Sequence, residues 1–206
     1  MWFAVIVAVL TCYLLGNLNG AVSVSTIFSK EDVRQRGSGN AGLTNFIRNF
    51  GFHKAALVIL IDAGKAALAC FVGSLLLQPY GYDREGMMLG AVAVSLGHDF
   101  PATLGFHGGK GILSGLTVAT VIDYRCGLLV LGVFLIAVLI FKYVSLGSVL
   151  GAATLAVYFG VYYAGQPFMM VGGIFLGLLA IFMHRSNLMR LFRGTESKVH
   201  FGKKKT

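Results

Sequence analysis

The sequence predicts an all-α integral membrane protein, folded as a bundle of seven transmembrane helices. Of its 206 residues, 56% are hydrophobic and 12% are charged, which is about half the charged share of a typical soluble protein. The mean hydropathy is +0.78, and long apolar runs alternate with short polar segments. This composition excludes a water-soluble enzyme, a disordered chain and a coiled coil.

Five apolar runs are candidates to cross the membrane, since a helix needs about 20 apolar residues to do so. Two further runs of 11 residues each reach only about 16 Å as helix. They are expected either to extend with sheltered polar ends or to form a re-entrant pair. The five long runs are 2–22, 55–77, 126–141, 143–164 and 168–183, and the two short ones are 87–97 and 112–122.

The basic residues predict the orientation. If all seven runs cross, fourteen of the seventeen Lys and Arg residues lie on one side, Arg84 and Arg125 lie on the other, and Lys65 lies within a span. Because positive loops face the cytoplasm, the N-terminus is expected outside and the C-terminus in the cytoplasm. A re-entrant pair would remove 98–111 from the basic side, so seven crossing spans are favoured. The net charge of +9 is therefore attributed to membrane orientation, and no nucleic-acid partner is expected.

We expect one polytopic membrane domain over residues 1–206, with a basic cytoplasmic tail at 184–206. Its polar residues collect in three segments on the predicted cytoplasmic side. The first, 34–48, contains Gly37, Gly39 and Gly42 among Ser, Asn and Thr residues and ends at Arg48. Glycines allow a ligand to approach the backbone, and arginine suits phosphate. Such a loop alone is more often an ordinary connection, so the signal is weak by itself.

The second segment, 97–111, ends in Gly-Gly-Lys-Gly around Lys110, a pattern of flexible amides and one ammonium that suits an anion. It lacks the spacing of a P-loop. The third segment, 184–196, places His184 and Asn187 on one helical face, although its arginines could equally contact anionic lipid. All three segments offer phosphate-binding groups on one side of the membrane, which predicts an anionic substrate at the bilayer surface.

The three segments, GSGNAGLTNFIR, GHDFPATLGFHGGKG and HRSNLMRLFRGTES, closely resemble the signatures of the bacterial acyl-phosphate:glycerol-3-phosphate acyltransferase family, known as PlsY. The resemblance implies a membrane enzyme that moves a fatty acyl group from acyl phosphate to the sn-1 hydroxyl of glycerol 3-phosphate. The products would be lysophosphatidic acid and phosphate, in the first step of phospholipid synthesis. It also implies a seven-span fold in the bacterial cytoplasmic membrane, with two short interrupted spans around an active site that faces the cytoplasm.

The resemblance also implies roles for individual residues. No cofactor and no metal site are expected, and the expected partners are the two substrates, the lipid bilayer and cytoplasmic acyl-supply proteins that dock on the enzyme. Glu196 is a weaker candidate near the glycerol 3-phosphate. The catalytic candidates are Ser38, Lys110, His184 and Asn187, and the candidates for binding substrate phosphate are Asn40, Gly42, Thr44, Asn45, Arg48, His98, Gly108, Gly109 and Gly111.

Acyl phosphate is an activated mixed anhydride, so direct attack by the glycerol hydroxyl is the expected mechanism, and positioning should do most of the work. The attacking hydroxyl loses its proton either to a substrate phosphate oxygen or to His184. Asp62 and Lys65 lie at i and i+3 within a predicted span, where ionisable residues are functional candidates. A structural ion pair is favoured because the two share a helical face.

One departure from the family pattern concerns the first span. The family usually has a Gly-Ser-x-Pro turn there, whereas this chain has Gly-Asn-Leu-Asn-Gly at residues 16–20, which puts the helix kink in doubt.

Other functional classes fit less well. A small transporter or channel for an anionic solute is the leading alternative, motivated by Asp62, Lys65 and the short spans, but no paired repeat is visible. A metal-dependent alcohol phosphotransferase would need clustered aspartates, and the five here are scattered. The H-x-x-x-x-D motif of acyl-CoA-dependent acyltransferases is also missing from the sequence.

Overall fold

The computed structural model describes residues 1–199, and the last seven residues of the expected basic tail lie outside this range. The described chain is helical and contains ten α-helices joined by turns and short 3-10 segments. In chain order they are α1 (Trp2–Asn17), α2 (Gly20–Ser29), α3 (Leu43–Phe50), α4 (Ala55–Leu77), α5 (Asp83–Asp99), α6 (Ile112–Ile122), α7 (Tyr124–Phe141), α8 (Val144–Tyr162), α9 (Pro167–Met183) and α10 (Arg185–Phe192).

Within residues 1–199, four helical stretches are long and apolar enough to cross a membrane. A fifth is obtained if α9 and α10, which meet at a bend of 54°, are counted as one. These five candidates coincide with the five long runs predicted from the sequence. The four stretches are Trp2–Ser29, Ala55–Tyr80, Tyr124–Phe141 and Val144–Tyr162.

The first run is not one continuous helix. Helix α1 ends at Asn17, Leu18 takes an extended conformation, and α2 begins at Gly20 and continues to Ser29, beyond the expected end at Val22. The break therefore forms without a proline. Asn19 stabilises the new start because its side-chain oxygen accepts a hydrogen bond from Val22 N at 2.9 Å, as an N-cap residue does.

The two short runs differ from each other. Helix α6 has the predicted bounds and 11 residues, whereas α5 has 17 residues because a polar first turn at Asp83–Glu85 precedes the apolar run. At 1.5 Å per residue, α5 is about 25 Å long. It is thus close to the length of a span, while α6 stays short.

Small residues let the central helices approach one another closely. Gly16 of α1 faces Gly97 of α5, and Gly73 of α4 faces Gly86 of α5, so closely that a Cβ on any of them would overlap the backbone of the facing helix. Close helix approach at small residues is typical of membrane bundles, where van der Waals packing replaces the hydrophobic driving force. As a result, α1 and α4 pack tightly on α5, whose C-terminal end leads into the second polar segment.

Candidate active site

The loop between α2 and α3, which contains the 3-10 segment Val33–Gln35, is organised by Asn45. The amide nitrogen of Asn45 lies 3.0 Å from each of three carbonyl oxygens, those of Val33, Arg36 and Asn40, and its Oδ1 accepts a hydrogen bond from Ser38 N at 3.1 Å. The buried side chain is thus occupied by the loop itself. Asn45 therefore holds the backbone around Ser38 in place, and it also lines the cavity described below.

The second segment folds back on the end of α5. Gly108 N donates to Asp99 O at 3.2 Å and Gly109 N donates to His98 O at 3.1 Å. A Cβ on Gly108 would overlap the His98 carbonyl oxygen, and one on Gly109 would overlap the His98 ring. Both glycines are therefore required by close packing, and their amides bind carbonyl oxygens of this chain. Lys110 and Gly111, which follow, reach the cavity described below.

The third segment begins at the bend between α9 and α10. His184 lies at this bend and is 4% exposed. Its Nδ1 is 2.8 Å from Ala180 O, and because a carbonyl only accepts, Nδ1 carries the proton in this contact. The neutral ring therefore has its lone pair on Nε2. The bend thus provides a buried histidine with one unprotonated nitrogen.

Four polar side chains connect the second and third segments. The Asn187 amide accepts a hydrogen bond from Lys110 Nζ and donates one to Glu196 Oε1, the latter at 2.8 Å. Arg190 Nε donates to Glu196 Oε2 at 2.7 Å. Burial raises the pKa of Glu196, but these hydrogen bonds outweigh it and hold the pKa below its usual value. The carboxylate is therefore charged and offsets one of the two positive charges, those of Lys110 and Arg190.

A single cavity of about 300 Å³ joins all three segments. Its polar end contains eleven of the thirteen residues that the sequence predicted for the site, and Gly108 and Gly109 are the two that do not line it. The eleven are Ser38, Asn40, Gly42, Thr44, Asn45, Arg48, His98, Lys110, Gly111, His184 and Asn187.

The electrostatics of the polar end favour an anion. Helices α3 and α6 both begin at the cavity, after Gly42 and Gly111 respectively, and neither has a side-chain cap. Free amides and the positive end of the helix dipole make such a terminus suitable for phosphate. Burial, followed by the neighbouring Arg190 guanidinium, lowers the pKa of Lys110 to about 8, so most Lys110 side chains are still charged at neutral pH.

The other end of the cavity is apolar. It extends from the polar segments between the membrane helices α7, α8 and α9, where it is lined mainly by aliphatic and aromatic side chains. These include Val130, Leu131, Phe134, Leu155, Leu176 and Leu179. The cavity as a whole is therefore amphipathic, with anion-binding groups at one end and a hydrocarbon lining at the other.

Several cavity residues were missed by sequence reasoning. Asp99, Arg190 and Ser148 line the cavity but were not among the predicted site residues. Arg190 is one of three arginines in the third segment, and nothing in the sequence distinguishes it from a lipid-facing arginine. The hydrogen bonds of Asn187 and Glu196 provide that distinction, and they come from the fold.

Comparison with known proteins identifies the family. The family model described as glycerol-3-phosphate acyltransferase matches residues 6–194. The chain belongs to this family. The resemblance seen in the three segments is therefore confirmed, and the alternative of a transporter or channel is not favoured.

Relatives in the glycerol-3-phosphate acyltransferase family match over nearly their whole length. The protein of that name from Thermoanaerobacter pseudethanolicus is 36% identical over 96% of this chain and 96% of its own. The one from Dechloromonas aromatica is 40% identical over 96% of this chain and 98% of its own. This chain is thus a bacterial-type membrane acyltransferase.

Two solved structures have the same fold. Both are crystal structures of PlsY (YgiH), described as an integral membrane glycerol 3-phosphate acyltransferase. The glycerol 3-phosphate form has a TM-score of 0.84 and 29% identity, and covers 95% of this chain and 96% of that one. The lysophosphatidic acid form has a TM-score of 0.82 and 28% identity, with 95% of both chains covered.

Proposed function

We propose that this acyltransferase moves a fatty acyl group from acyl phosphate to the sn-1 hydroxyl of glycerol 3-phosphate, giving lysophosphatidic acid and phosphate. The observation that carries the proposal is the amphipathic cavity, which joins an anion-binding end to an apolar end. Both proposed substrates carry phosphate, and the donor also carries a fatty chain. The crystal forms of PlsY, with glycerol 3-phosphate and with lysophosphatidic acid, support the acceptor and the product.

The proposed reaction is a direct transfer. The sn-1 oxygen of glycerol 3-phosphate attacks the acyl carbonyl carbon, the ester C–O bond forms, the bond between that carbon and the phosphate oxygen breaks, and inorganic phosphate leaves. Because the donor is already activated, the enzyme needs chiefly to hold both substrates in line. We assign this positioning to the free amides of α3 and α6, Arg48 and Lys110, since they converge on the cavity.

The catalytic assignments rest on the same convergence. Lys110 donates a hydrogen bond to Asn187, and its charge is assigned to binding a substrate phosphate. Ser38 has an exposed side chain in the loop that the hydrogen bonds of Asn45 stabilise. His184 accepts the proton of the attacking hydroxyl at Nε2, the nitrogen that its contact with Ala180 leaves unprotonated. Asn45, Gly108 and Gly109 stabilise the loops through their hydrogen bonds. The other residues assigned to phosphate binding are Asn40, Gly42, Thr44, His98 and Gly111.

We further propose a single membrane domain with seven crossing spans, which include α5 and the shorter α6. The excess of Lys and Arg on the side of the three segments favours a cytoplasmic active site and an outer N-terminus. In this orientation the polar mouth of the cavity opens where acyl-supply proteins would deliver the donor.

The test is an assay of the purified full-length protein with glycerol 3-phosphate and either acyl phosphate or acyl-CoA, without added metal. Lysophosphatidate measured by mass spectrometry is expected from acyl phosphate alone. Product from acyl-CoA at an equal or higher rate would overturn the donor assignment. Phosphate uptake into proteoliposomes without product would instead support a transporter.

A further inference from the structure

A buried ion pair lies next to the active site, at the break between α1 and α2. Lys65 and Asp62 are on α4, with 2.9 Å between Lys65 Nζ and Asp62 Oδ1, and their side chains are 2% and 3% exposed. Lys65 also donates to the carbonyl oxygens of Gly16 and Leu18, the former at 3.1 Å, while Asp62 Oδ1 accepts from Gly20 N at 3.1 Å. The pair therefore satisfies polar groups at both sides of the helix break.

The same ammonium contacts an active-site residue. Lys65 Nζ is 2.9 Å from His98 Nδ1. The ammonium has three donors and no acceptor, and it shares them among four neighbours, which are Asp62 Oδ1, the two carbonyl oxygens and His98 Nδ1. Nδ1 can therefore only accept, and the proton of the neutral ring is on Nε2. The 3.7 Å from His98 Nδ1 to Asp62 Oδ1 is too long for a competing hydrogen bond. Lys65 thus determines both the tautomer and the orientation of the His98 ring.

His98 Nε2 lies beside Gly109, the residue before Lys110 of the cavity lining. His98 lines the cavity, and its ring lies directly against Gly109. Among residues 1–199, Nε2 has no hydrogen-bond partner, yet it is not one of the fully buried unpaired atoms, which are Asp99 Oδ1 and Ser145 Oγ. Since His98 is only 4% exposed and lines the cavity, the cavity is the route by which a ligand can reach its ring.

We propose that Asp62 and Lys65 are positioning residues for catalysis: they fix His98 so that its Nε2–H donates to an anionic oxygen of the bound phosphate. Asp62 balances the charge of Lys65. The Lys65 ammonium donates to His98 Nδ1, and this leaves the Nε2–H group of His98 as a donor at the cavity wall. This inference rests on the proposed function, because the acceptor is the substrate phosphate. It also gives the intramembrane pair a role beyond closing the helix break.

The first measurement uses the wild-type protein in lipid with ¹⁵N-labelled histidine. Solid-state NMR should show a neutral His98 ring protonated at Nε2, with its signals assigned by their loss in His98→Gln. A proton on Nδ1, or a doubly protonated ring at neutral pH, would overturn the proposal. This readout requires no variant of the buried pair.

The second measurement compares substitutions at His98. The amide nitrogen of glutamine falls near the position of Nε2, and that of asparagine falls near Nδ1. His98→Gln is therefore expected to keep kcat/KM within about 10-fold of wild type, whereas His98→Asn should lose about 10- to 100-fold, the equivalent of one charge-assisted hydrogen bond. Equal losses in the two variants would contradict a donor at Nε2.

The third measurement asks whether Lys65 acts through His98. Lys65→Met is expected to lower kcat/KM by about 10-fold in the wild-type background but by less than about 3-fold in the His98→Gln background, because coupled residues are not additive. A purely structural role predicts the same loss in both. The exposed Lys30→Met is the matched control and should keep wild-type activity. If the wild-type protein forms no lysophosphatidate, the proposed function is refuted. If it is active but Lys65→Met causes the same loss in both backgrounds, only the positioning role is refuted.

Discussion

Lys110 is the residue whose charge the site controls most directly. The nearby positive charge of Arg190 disfavours the Lys110 ammonium, and Asn187 Oδ1 accepts a hydrogen bond from that ammonium. Glu196 partly restores the balance because it pairs with Arg190 at 2.7 Å. A substrate phosphate that enters the cavity adds negative charge beside Lys110 and so favours the ammonium.

The pH dependence follows from this environment. Because the pKa of Lys110 is lowered to about 8, the ammonium is present below that pH and lost above it. We expect kcat/KM for acyl phosphate, which reports groups of the free enzyme, to fall as pH rises through about 8. Lys110→Arg, which stays protonated, should move this fall to higher pH. An identical fall in Lys110→Arg would assign it to another group.

The role of His184 gives a prediction in kcat. With Nδ1 donating to Ala180 O, Nε2 is available as a base, and a general base usually contributes about 10²- to 10⁴-fold. His184→Ala and His184→Gln should both lower kcat by at least about 100-fold, measured as initial rates of lysophosphatidate formation. If the loss is below about 10-fold, His184 is not an essential base, and the proton goes to a substrate phosphate oxygen.

At the scale of the helices, the predictable features are those that depend on local sequence. The bounds of α4 and α6 match the apolar runs from which they were predicted, because polarity changes sharply at their ends. The break after Asn17 was left in doubt because its stabilising partners, Asp62 and Lys65, are far away in sequence. Likewise, nothing local indicates that the side chain of Asn45 bonds to carbonyl oxygens of its own loop.

The contact between α1 and α5 can be tested at Gly97. A Cβ there would overlap the α1 backbone at Tyr13 and Gly16, so Gly97→Ala should destabilise the protein by about 1–3 kcal/mol, as overpacking does. Activity should fall too, because α5 carries His98. The control is Gly132→Ala on α7, where a Cβ meets nothing within 4 Å. Thermal unfolding in detergent gives the melting temperature of both variants. If the two are equal, the close contact between α1 and α5 does not contribute to stability.

At the scale of the whole molecule, the active site depends on segments that are far apart in sequence. The first is tied to the helix break, where Asn19 Nδ2 donates to Ala41 O at 2.9 Å. The second segment follows α5, and the third follows the bend after α9. Sequence reasoning placed the three on one side from charge alone, but the cavity that joins them arises from the packing of α6 to α9.

The path of α5 and α6 decides whether this arrangement has seven crossing spans. If both helices cross, the connecting segment around His107 is cytoplasmic, whereas a re-entrant pair would keep it from that side. The side chains of His107 and Gln166 are exposed, so each can be replaced by cysteine in a variant without Cys12, Cys70 and Cys126. We expect an impermeant maleimide to label His107→Cys in inside-out vesicles only and Gln166→Cys in intact spheroplasts only. Labelling of both positions from the outer side would support a re-entrant pair and exclude seven crossing spans, whereas an exchange of sides, with His107→Cys outside and Gln166→Cys inside, would overturn the orientation. The cysteine-free parent must retain activity, so that the labelled molecules are known to be folded.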